Sequence, residues 1–293
     1  MQFAILSARQ GWHTDQLCRA FASAGHEAAV LLYEANVARL GPATGVANGG
    51  TELESTDGIL ARIIPEGSLE QIIFRVDTLH RLEQRGVPIM NSARAIERTV
   101  DKFYTSSLLA EAGLPTPETV ACERAEDAFE AFRRLGGDVI VKPLCGSMGL
   151  GMTRVSDEDM AFRVFRTLEV IRGVYYLQRT IDHEGCDIRA FVVGDRIIGA
   201  IERRAPGWKT NFSRGGTAKP ITLPADWAAL ALTAAKAVGA EYAGVDLLPA
   251  RDGTVYLIEV NGIPGWQGLQ GATGIDVAGA IVEHFVARCR KLS

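Results

Sequence analysis

The segment from Ala243 to Gly265, AGVDLLPARDGTVYLIEVNGIPG, is typical of two apolar strands joined by a tight turn. Asp252-Gly253 favours a type I′ turn, because both central residues of that turn need a positive φ. A two-residue turn there places Asp246 directly opposite Glu259, and directly opposed side chains share a face with Cβ atoms about 5 Å apart. Asn261 follows Glu259 by two residues and belongs to the same face. The pattern therefore predicts three oxygen-bearing side chains close together.

The chemistry of these three side chains predicts a metal site. Carboxylates between apolar strands are costly unless they are paired or bound to a metal. Carboxylate and amide oxygens suit a hard cation such as Mg²⁺, with Mn²⁺ as an alternative. A solvated surface hairpin is the competing interpretation, and Pro249 requires an edge position or a bulge that would shift the register by one residue. The side chains expected on the opposite, apolar face are Val245, Leu247, Ile258 and Val260.

The composition excludes several classes of protein. The 293 residues are 47% hydrophobic and 23% charged, which is ordinary for a globular enzyme of two or three domains. A net charge of −4 lacks the basic excess of a nucleic-acid-binding protein. The sequence contains neither an apolar run long enough for a membrane span nor the features of a signal peptide. The five cysteines are scattered without a CxxC pair. We therefore expect a cytoplasmic protein with reduced thiols and without a nucleic-acid or membrane partner.

Alternating strands and helices predict a parallel α/β layer over about the first 95 residues. The turn after the first strand reads SARQGWH and lacks the GxGxxG sequence of a dinucleotide-binding domain, which excludes that function. A long helix starting at Ser68 carries one apolar stripe, formed by Leu69, Ile72, Ile73, Val76, Leu79 and Leu82. The expected strands of this layer are 2–8, 28–33, 58–64 and 87–90, and the expected helices are 13–24 and 68–86.

The rest of the chain predicts two α+β units. Residues 91–113 are expected to be helical with a break near Asp101, and Leu-Pro-Thr-Pro at 114–117 favours a domain boundary. We divide the chain into an N-terminal layer (1–97), a central unit with a glycine-rich loop (98–180) and a C-terminal unit with the metal site (181–293). The expected strands are one around Thr119 and the segments 138–144, 151–155, 174–181, 187–193 and 196–203. The expected helices are 125–135, 157–171, 227–238 and 277–290. Residues 206–219 are expected to form a polar loop.

The glycine-rich loop Gly146–Gly151 joins two of these strands. Its backbone amides could approach phosphate oxygens closely, because small side chains leave them accessible. The loop is not a Walker A sequence, since no Gly-Lys-Ser/Thr follows, and a plain flexible hairpin is the alternative. Lys142 ends the apolar strand VIVKP just upstream. A lysine in that position must extend to solvent or meet an anion, which favours phosphate.

The order of these motifs resembles the ATP-grasp superfamily of carboxylate–amine ligases over nearly the whole chain. It runs VIVKP with the glycine-rich loop, YYLQRTI, DIRAFVVGD, IERRA, NFSRGG and D…E-x-N. The elements DIRAFVVGD, NFSRGGTA and IEVNGIPGW resemble the RimK-like α-L-glutamate ligases. The segment FRVDTLHRLEQRGVPIMNSARAIERTVDKFYT resembles the branch that adds glutamate to tetrahydromethanopterin-type cofactors. The resemblance implies an α/β (α+β) ATP-grasp fold, in which an N-terminal parallel α/β layer precedes two α+β subdomains that sandwich ATP.

The resemblance also implies roles for individual residues. Gln178 stands where the family often has Glu, and its amide could donate to adenine N7 or accept from the adenine amino group. The resemblance implies that Asp187 contacts the ribose. It also implies that Arg203 and Lys142 are catalytic residues that contact the transferred phosphate. The implied ATP-binding residues are Lys102, Lys142, Gly146, Ser147, Met148, Gly149, Gln178, Arg179, Thr180, Ile181, Asp187, Lys209 and Asn211. The implied substrate-binding residues are Arg189, Arg204, Arg214 and Gly215, and the implied metal ligands are Asp246, Glu259 and Asn261.

The function implied is an ATP- and Mg²⁺-dependent ligase that activates an acceptor carboxylate as an acyl phosphate and joins it to the amine of L-glutamate. The acceptor would be a pterin- or furan-type cofactor or a protein C-terminus, and the protein would be a homo-oligomer. A ligase for another amino acid or dipeptide and a non-catalytic ATP-binding module remain alternatives. At the level of single residues, Arg189 and Arg203 have structural salt bridges as their alternative. Trp208 and Trp266 have core or lid packing as an alternative to substrate stacking.

Overall fold

The computed structural model describes residues 1–146, 149–205 and 217–292. In these ranges the strands are β1 Gln2–Ser7, β2 Glu27–Leu32, β3 Asn36–Arg39, β4 Gly45–Asn48, β5 Thr51–Glu52, β6 Gly58–Ala61, β7 Ile89–Met90, β8 Thr119–Cys122, β9 Val139–Lys142, β10 Thr153–Val155, β11 Tyr175–Arg179, β12 Cys186–Val193, β13 Arg196–Arg204, β14 Thr217–Pro220, β15 Tyr242–Pro249 and β16 Val255–Asn261. The helices are α1 Trp12–Ser23, α2 Leu69–Gln84, α3 Ala93–Val100, α4 Lys102–Glu111, α5 Ala125–Arg134, α6 Glu158–Val170, α7 Ala225–Val238, α8 Gln267–Thr273 and α9 Val277–Leu292.

The N-terminal layer is the predicted parallel sheet, with strand order β2-β1-β6-β7. Its strands are short and apolar, as expected for strands that helices cover on both sides. α1 packs against the C-terminal helix α9, and the ring of Phe285 on α9 contacts the ring of Phe3 on β1 in a tilted arrangement, with 5.6 Å between ring centroids. The end of the chain therefore completes the N-terminal layer. The small antiparallel sheet β3-β4-β5 was not predicted, because its strands have only two to four residues each.

Helix α2 begins where the sequence predicts, but its buried stripe is shorter. The Ser68 hydroxyl accepts from the Gln71 amide nitrogen at 3.3 Å and the Gln71 side chain accepts in return from the Ser68 amide nitrogen at 3.0 Å, which caps the helix. Leu79 and Leu82 are fully buried, whereas Leu69 is 75% and Ile73 49% exposed. The predicted stripe is therefore wrong at Leu69 and Ile73, which are exposed, while Ile72 and Val76 are partly buried.

The central unit is an antiparallel sheet with strand order β10-β9-β11-β8, and α5 and α6 pack on one face. The glycine-rich loop joins β9 to β10 as a hairpin, as predicted. Residues 93–111 form two helices that break at Asp101, also as predicted. α4 packs on α7 and β16 of the C-terminal unit, so the central sheet itself begins at β8. The division at residues 97 and 180 stays a prediction.

The C-terminal unit is an antiparallel sheet with strand order β14-β13-β12-β15-β16. Helix α7 is alanine-rich, which lets it lie close to the sheet, and its buried alanines pack on the apolar face. β14 lies within the segment that was predicted to be a polar loop; the backbone pairing of Glu202 with Lys219 shows that its last part forms an edge strand. Short strands with mixed polarity give little sequence signal at a sheet edge.

The β15–β16 hairpin reaches the predicted pairing by a different route. The Ala250 amide nitrogen donates to the Thr254 carbonyl at 2.9 Å, so the turn has three residues and Gly253 adopts a φ of +86°. A two-residue turn was wrong. Leu247 pairs with Leu257, one residue out of the predicted register, and a bulge at Ile258 then restores the pairing of Asp246 with Glu259.

The bulge also changes which side chains face the core. Val245, Leu247, Leu257 and Val260 are buried in the core beneath α7. Ile258 was predicted on this apolar face; it instead lies on the opposite side, beside Asp246 and Glu259. Side chains alternate between the two faces of a strand. One extra residue therefore places the residues between the turn and the bulge on the face opposite to the predicted one.

Two buried polar side chains join the N-terminal layer to the C-terminal sheet. The Asn91 amide donates to the carbonyls of Tyr242 (2.7 Å) and Gly262 (2.5 Å) and accepts from the backbone nitrogens of Glu241 (2.7 Å) and Tyr242 (3.1 Å). The Arg62 guanidinium donates to the Tyr242 hydroxyl and the Pro264 carbonyl, both at 3.2 Å, and lies 4.8 Å from the ring centroid of Trp266. Trp266 is thus a core residue, and Trp208 lies outside the described residues.

Candidate active site

A pocket lies between the central and C-terminal sheets. Its walls come from the two sheets, the connection between them and the N-terminal end of α4. The central sheet contributes Ile140, Lys142, Tyr176 and Gln178, and the C-terminal sheet contributes Asp187, Asp246, Leu248, Ile258 and Glu259. The connection contributes residues 179–181 and His183, and the glycine-rich loop contributes Gly146, Gly149 and Leu150. Predicted site residues from both units, among them Lys142, Gln178, Asp187, Asp246 and Glu259, therefore meet in one place.

Four charged side chains lie on the pocket-facing side of the C-terminal sheet, and two of them, Asp187 and Asp246, line the pocket. Asp187 lies directly opposite Arg203, and Arg189 directly opposite Asp246, so all four share one face. Arg203 donates to both Asp187 oxygens at 2.6 Å, and its Nη2 is 3.0 Å from Asp246 Oδ2. Arg189 donates to both Asp246 oxygens at 2.7 Å. We call these four residues the charge ladder.

The charge ladder stabilises Asp246 as an anion. Burial favours the neutral acid, but the guanidinium groups of Arg189 and Arg203 outweigh burial and lower the pKa of Asp246 to about 2. Arg203 itself is buried and does not line the pocket; it lies between Asp187 and Asp246. Salt bridges, the alternative considered for Arg189 and Arg203, are therefore present in the structure.

Glu259 has the opposite environment. Burial and the nearby Asp246 carboxylate raise the pKa of Glu259, although Lys102, Arg189 and Lys142 act in the other direction. Two carboxylates that face each other from adjacent strands repel unless a cation lies between them. The pair therefore has the electrostatic character of a cation site.

The Asn261 side chain lies between Glu259 and Arg189. With its amide nitrogen toward Glu259 it donates to Oε1 at 3.1 Å and accepts from Arg189 Nη2 at 3.2 Å. With its oxygen toward Glu259 two acceptors face each other, which a divalent cation between them would satisfy. Asp246, Glu259 and Asn261 thus fit the Mg²⁺ site that the sequence predicts.

Two lysines face this site, Lys142 at the end of β9 in the central sheet and Lys102 at the start of α4. The Lys142 ammonium donates to Gln178 Oε1 at 2.6 Å, and the Lys102 ammonium donates to the Gly146 carbonyl at 2.8 Å. Burial, with a smaller contribution from Lys102, lowers the pKa of Lys142 to about 8, while Glu259 and Asp246 act to raise it. Both lysines are directed into the pocket with the glycine-rich loop beside them.

The pocket also has apolar walls that the sequence reasoning missed. Ile140 and Met152 come from the β9–β10 hairpin side, and Leu248 and Ile258 from the facing sheet. Period two from Asp246 could have identified Leu248. Ile258 could not be found, because only the bulge turns it toward the pocket.

Two profile comparisons with protein families agree with this arrangement. Residues 1–96 match the RimK PreATP-grasp domain, and residues 99–285 match the RimK-like ATP-grasp domain. The chain belongs to the RimK-like ATP-grasp family. The family resemblance inferred from the motifs is thus confirmed.

Individual members of the RimK-like family are similar over nearly the full length. The tetrahydromethanopterin:alpha-L-glutamate ligase of Methanosarcina acetivorans is 38% identical over 273 residues, which cover 83% of this chain and 84% of the relative. A probable alpha-L-glutamate ligase of Trichodesmium erythraeum is 34% identical over 291 residues, 97% of this chain and 96% of the relative. The chain is therefore an enzyme of the ATP-grasp α-L-glutamate ligase family, an ATP-dependent ligase that forms carbon–nitrogen bonds.

Solved structures confirm the ATP-grasp fold. A RimK domain ATP-grasp protein from Sphaerobacter thermophilus superposes with a TM-score of 0.74 at 25% identity, covering 98% of this chain and 100% of that one. The ATP-grasp ligase PsnB, solved with a minimal precursor, Mg and ADP, gives a TM-score of 0.77 at 20% identity over 98% and 97% of the two chains. The predicted fold class is confirmed.

Some predicted site residues of this RimK-like protein do not line the pocket with their side chains. The Arg179 side chain is exposed at the pocket margin. Arg204 is adjacent to Arg203 and so points to the other face of β13, where it pairs with Glu202 at 2.5 Å. Its side chain therefore does not face the pocket, and its contact with substrate stays a prediction. The predicted residues that lie outside the described residues are Ser147, Met148, Lys209, Asn211, Arg214 and Gly215.

None of the helices within residues 1–146, 149–205 and 217–292 is both long and apolar enough to span a bilayer.

Proposed function

We propose that this enzyme uses ATP and Mg²⁺ to activate a carboxylate as an acyl phosphate and then joins it to the amine of L-glutamate. The observation that carries the proposal is the meeting of Lys142 from the central sheet and Lys102 from α4 with the carboxylates of Asp246 and Glu259 in one pocket, with the Asn261 amide next to Glu259. A nucleotide triphosphate needs both kinds of group, cations for its phosphates and oxygen ligands for its metal. The names of the similar glutamate ligases support the choice of amino acid.

The residues that line the pocket favour one orientation of ATP, with adenine at the apolar end and the phosphates at the lysines. The apolar side chains of Ile140, Met152, Leu248 and Ile258 suit the faces of an adenine ring. Residues 179–181 provide backbone groups for its edge. Both ends of the Gln178 amide are bonded to protein groups, so neither of the adenine contacts considered for Gln178 is required. The phosphates would then extend toward Lys142, Lys102 and Gly146.

Asp246, Glu259 and Asn261 would hold the metal at the phosphate end. Mg²⁺, when bound, would neutralise negative charge on the outer phosphates and polarise the γ-phosphoryl group. The charge ladder fixes the Asp246 carboxylate and keeps it ionised, so that one ligand is oriented before any nucleotide enters.

The reaction has two steps. An oxygen of the acceptor carboxylate attacks the γ-phosphorus, the bond from phosphorus to the β–γ bridging oxygen breaks, and ADP leaves. The nitrogen of L-glutamate then attacks the acyl carbon, the carbon–oxygen bond to phosphate breaks, and the amine proton is lost as the amide forms. The protein supplies positioning and positive charge for both steps, and the β9–β10 hairpin lies where it would exclude water.

The acceptor is a carboxylate of the pterin class in this proposal. The similarity to a tetrahydromethanopterin:alpha-L-glutamate ligase supports that class over a protein C-terminus. Furan-type cofactors and peptides with a C-terminal carboxylate are the comparison substrates.

The test is ADP release with each amino acid in turn, followed by mass spectrometry of the candidate acceptors. We expect release that depends on glutamate and on a pterin carboxylate, with one glutamyl residue added to the acceptor per ADP. Release with a different amino acid would overturn the glutamate assignment, and ATP binding without release under any condition would indicate a non-catalytic binding protein.

Variants test the metal assignment in the same assay. Glu259→Ala should abolish turnover while the protein stays folded, because it removes a ligand and a buried charge. Glu130→Ala is the matched control, since Glu130 is exposed on α5 away from the pocket. Turnover of Glu259→Ala within a few-fold of the parent would show that Glu259 does not hold the metal.

A further inference from the structure

Lys142 has a neutral partner in a place where a carboxylate would be the ordinary choice. Its side chain is only 5% exposed, and its ammonium donates to the amide oxygen of Gln178 at 2.6 Å. Buried lysines usually pair with an acid, because burial of an unpaired charge is costly. Asp246 and Glu259 lie across the pocket on the other sheet and influence Lys142 through space. The partner on its own sheet carries no charge.

The orientation of the Gln178 amide is fixed by its other neighbour. Gln178 lies directly opposite Thr119 on β8, and its Nε2 donates to Thr119 Oγ1 at 3.1 Å. The Thr119 hydroxyl donates its single proton to the Pro117 carbonyl at 2.9 Å. Toward Gln178 this hydroxyl can therefore only accept, which selects the amide nitrogen. The amide oxygen must then face Lys142.

We propose that Thr119 and Gln178 are positioning residues that direct the Lys142 ammonium toward the nucleotide phosphates without neutralising its charge. The chain of donors from Lys142 through Gln178 and Thr119 to the Pro117 carbonyl is called the amide relay. This inference rests on the proposed nucleotide site, and it assigns to these two side chains a function other than contact with adenine.

The amide relay has a consequence that a carboxylate at position 178 would not have. A carboxylate would pair with Lys142 and compete with phosphate for its charge. It would also repel the phosphates themselves and would require the Thr119 hydroxyl to turn away from Pro117. Among the groups that face Lys142, burial and Lys102 lower its pKa, whereas Glu259 and Asp246 raise it. A carboxylate at 178 would shift this balance toward the charged form over a wider range of pH.

The first experiment measures nucleotide binding without glutamate or acceptor. The probe is an ATP analogue with a methylene group between the β- and γ-phosphorus atoms, titrated by calorimetry into Thr119→Val, Thr119→Ser and the parent. We expect Thr119→Val to weaken binding about three- to tenfold, the worth of one net hydrogen bond, and Thr119→Ser to restore it. Thr167→Val is the control, since Thr167 is exposed and its hydroxyl donates only to the Arg163 carbonyl within helix α6.

The second experiment changes the charge of the relay. Gln178→Glu should weaken binding of the analogue at least tenfold at pH 7, because one charge-assisted contact to phosphate is lost. It should also move the pH at which binding declines to a higher value. In steady-state assays both Thr119→Val and Gln178→Glu should raise KM for ATP more than they lower kcat.

The outcomes separate this inference from the proposed function. Equal binding by Thr119→Val and the parent, or equal losses in Thr119→Val and Thr119→Ser, would overturn the relay. If Thr119→Val does not fold, Gln178→Glu decides: unchanged affinity and an unchanged pH profile would overturn it. Failure of glutamate-dependent ADP release would contradict the proposed function and leave the binding measurements valid.

Discussion

The two sheets that face the pocket differ in how their charged side chains are paired. On the C-terminal sheet, Asp187, Arg203, Asp246 and Arg189 neutralise one another through bidentate ion pairs. On the central sheet, Lys142 is held by a neutral amide and its charge is left unbalanced. The first arrangement fixes geometry, and the second preserves attraction for an anion. A site that must hold both a metal and phosphates needs both, because a fixed carboxylate orients the metal while an unpaired cation attracts the nucleotide.

The largest expected effect comes from breaking the charge ladder. Arg203→Met removes the guanidinium that binds both Asp187 and Asp246, while Arg189 still pairs with Asp246. We expect a loss of about 3–5 kcal/mol in the free energy of unfolding, as for other buried pairs that lose one partner. Urea denaturation followed by circular dichroism measures it.

The neighbouring arginine provides the control for this prediction. Arg204 lies on the other face of the same strand and pairs with Glu202 in solvent. Arg204→Met should leave the free energy of unfolding unchanged within error. Equal losses in the two variants would mean that the ladder contributes no more than an ordinary surface pair.

The two carboxylates that face each other should respond differently to neutral substitution. Asp246→Asn removes the partner of two arginines and should cost about 2 kcal/mol in the free energy of unfolding at pH 7. Glu259→Gln should leave stability unchanged or raise it, because its charged form is disfavoured in the fold. Urea denaturation of both variants between pH 4 and about pH 7 gives the comparison.

The sign of the pH dependence follows from the two pKa shifts. Since the pKa of Asp246 is lowered to about 2, its contribution is present above the unfolded value and is lost only as pH falls toward 2. Since the pKa of Glu259 is raised, its penalty is present at neutral pH and is relieved as pH falls through the raised value. The difference between Glu259→Gln and the parent should therefore shrink on acidification. A difference that grows would contradict the environment described for Glu259.

The smallest expected effect concerns the unbalanced lysine. The pKa of Lys142 is lowered to about 8, so its ammonium loses its proton as pH rises through that value. Affinity for the ATP analogue should fall by up to about tenfold between pH 7 and pH 9.5, the loss of one charged contact. Binding near pH 8 should also take up a fraction of a proton, which calorimetry in buffers of different ionisation enthalpy detects. Lys142→Met should bind weakly and show no such pH dependence, and a parallel decline in this variant would exclude Lys142 as the titrating group.

Much of the fold could be predicted because its signals are local. The parallel N-terminal layer, the helix break at Asp101 and the β9–β10 hairpin follow from apolar runs and breaking residues that are close in sequence. Strands β3, β4, β5 and β14 were missed because they are short or lie at sheet edges. The exposed end of α2 was missed because an apolar stripe does not reveal whether a neighbour is present to cover it.

The candidate site shows both the strength and the limit of register arguments. Asp246 does face Glu259, but the predicted two-residue turn is wrong by one residue and a bulge at Ile258 compensates. The alternation of side chains along a strand predicts which residues share a face. It does not predict where an extra residue forms a bulge. Arg204 was predicted to bind substrate together with Arg189, although the two side chains lie on opposite faces of the sheet.

Contacts between distant segments could not be predicted at all. The amide relay requires β8 and β9 to flank β11, and no local pattern specifies that order. Gln178 was assigned to adenine by resemblance, whereas the structure bonds both ends of its amide to the protein.

The Asn91 amide has a mechanical consequence. It holds the end of the N-terminal sheet to main-chain groups at the start of β15 and just after β16, and each of its polar atoms makes two hydrogen bonds. The strand that carries Asp246 and the first sheet of the chain should therefore travel together as a single rigid body. Any widening of the pocket to admit a nucleotide must then come from a hinge movement of the central sheet, which carries Lys142 and the amide relay away from a stationary metal site.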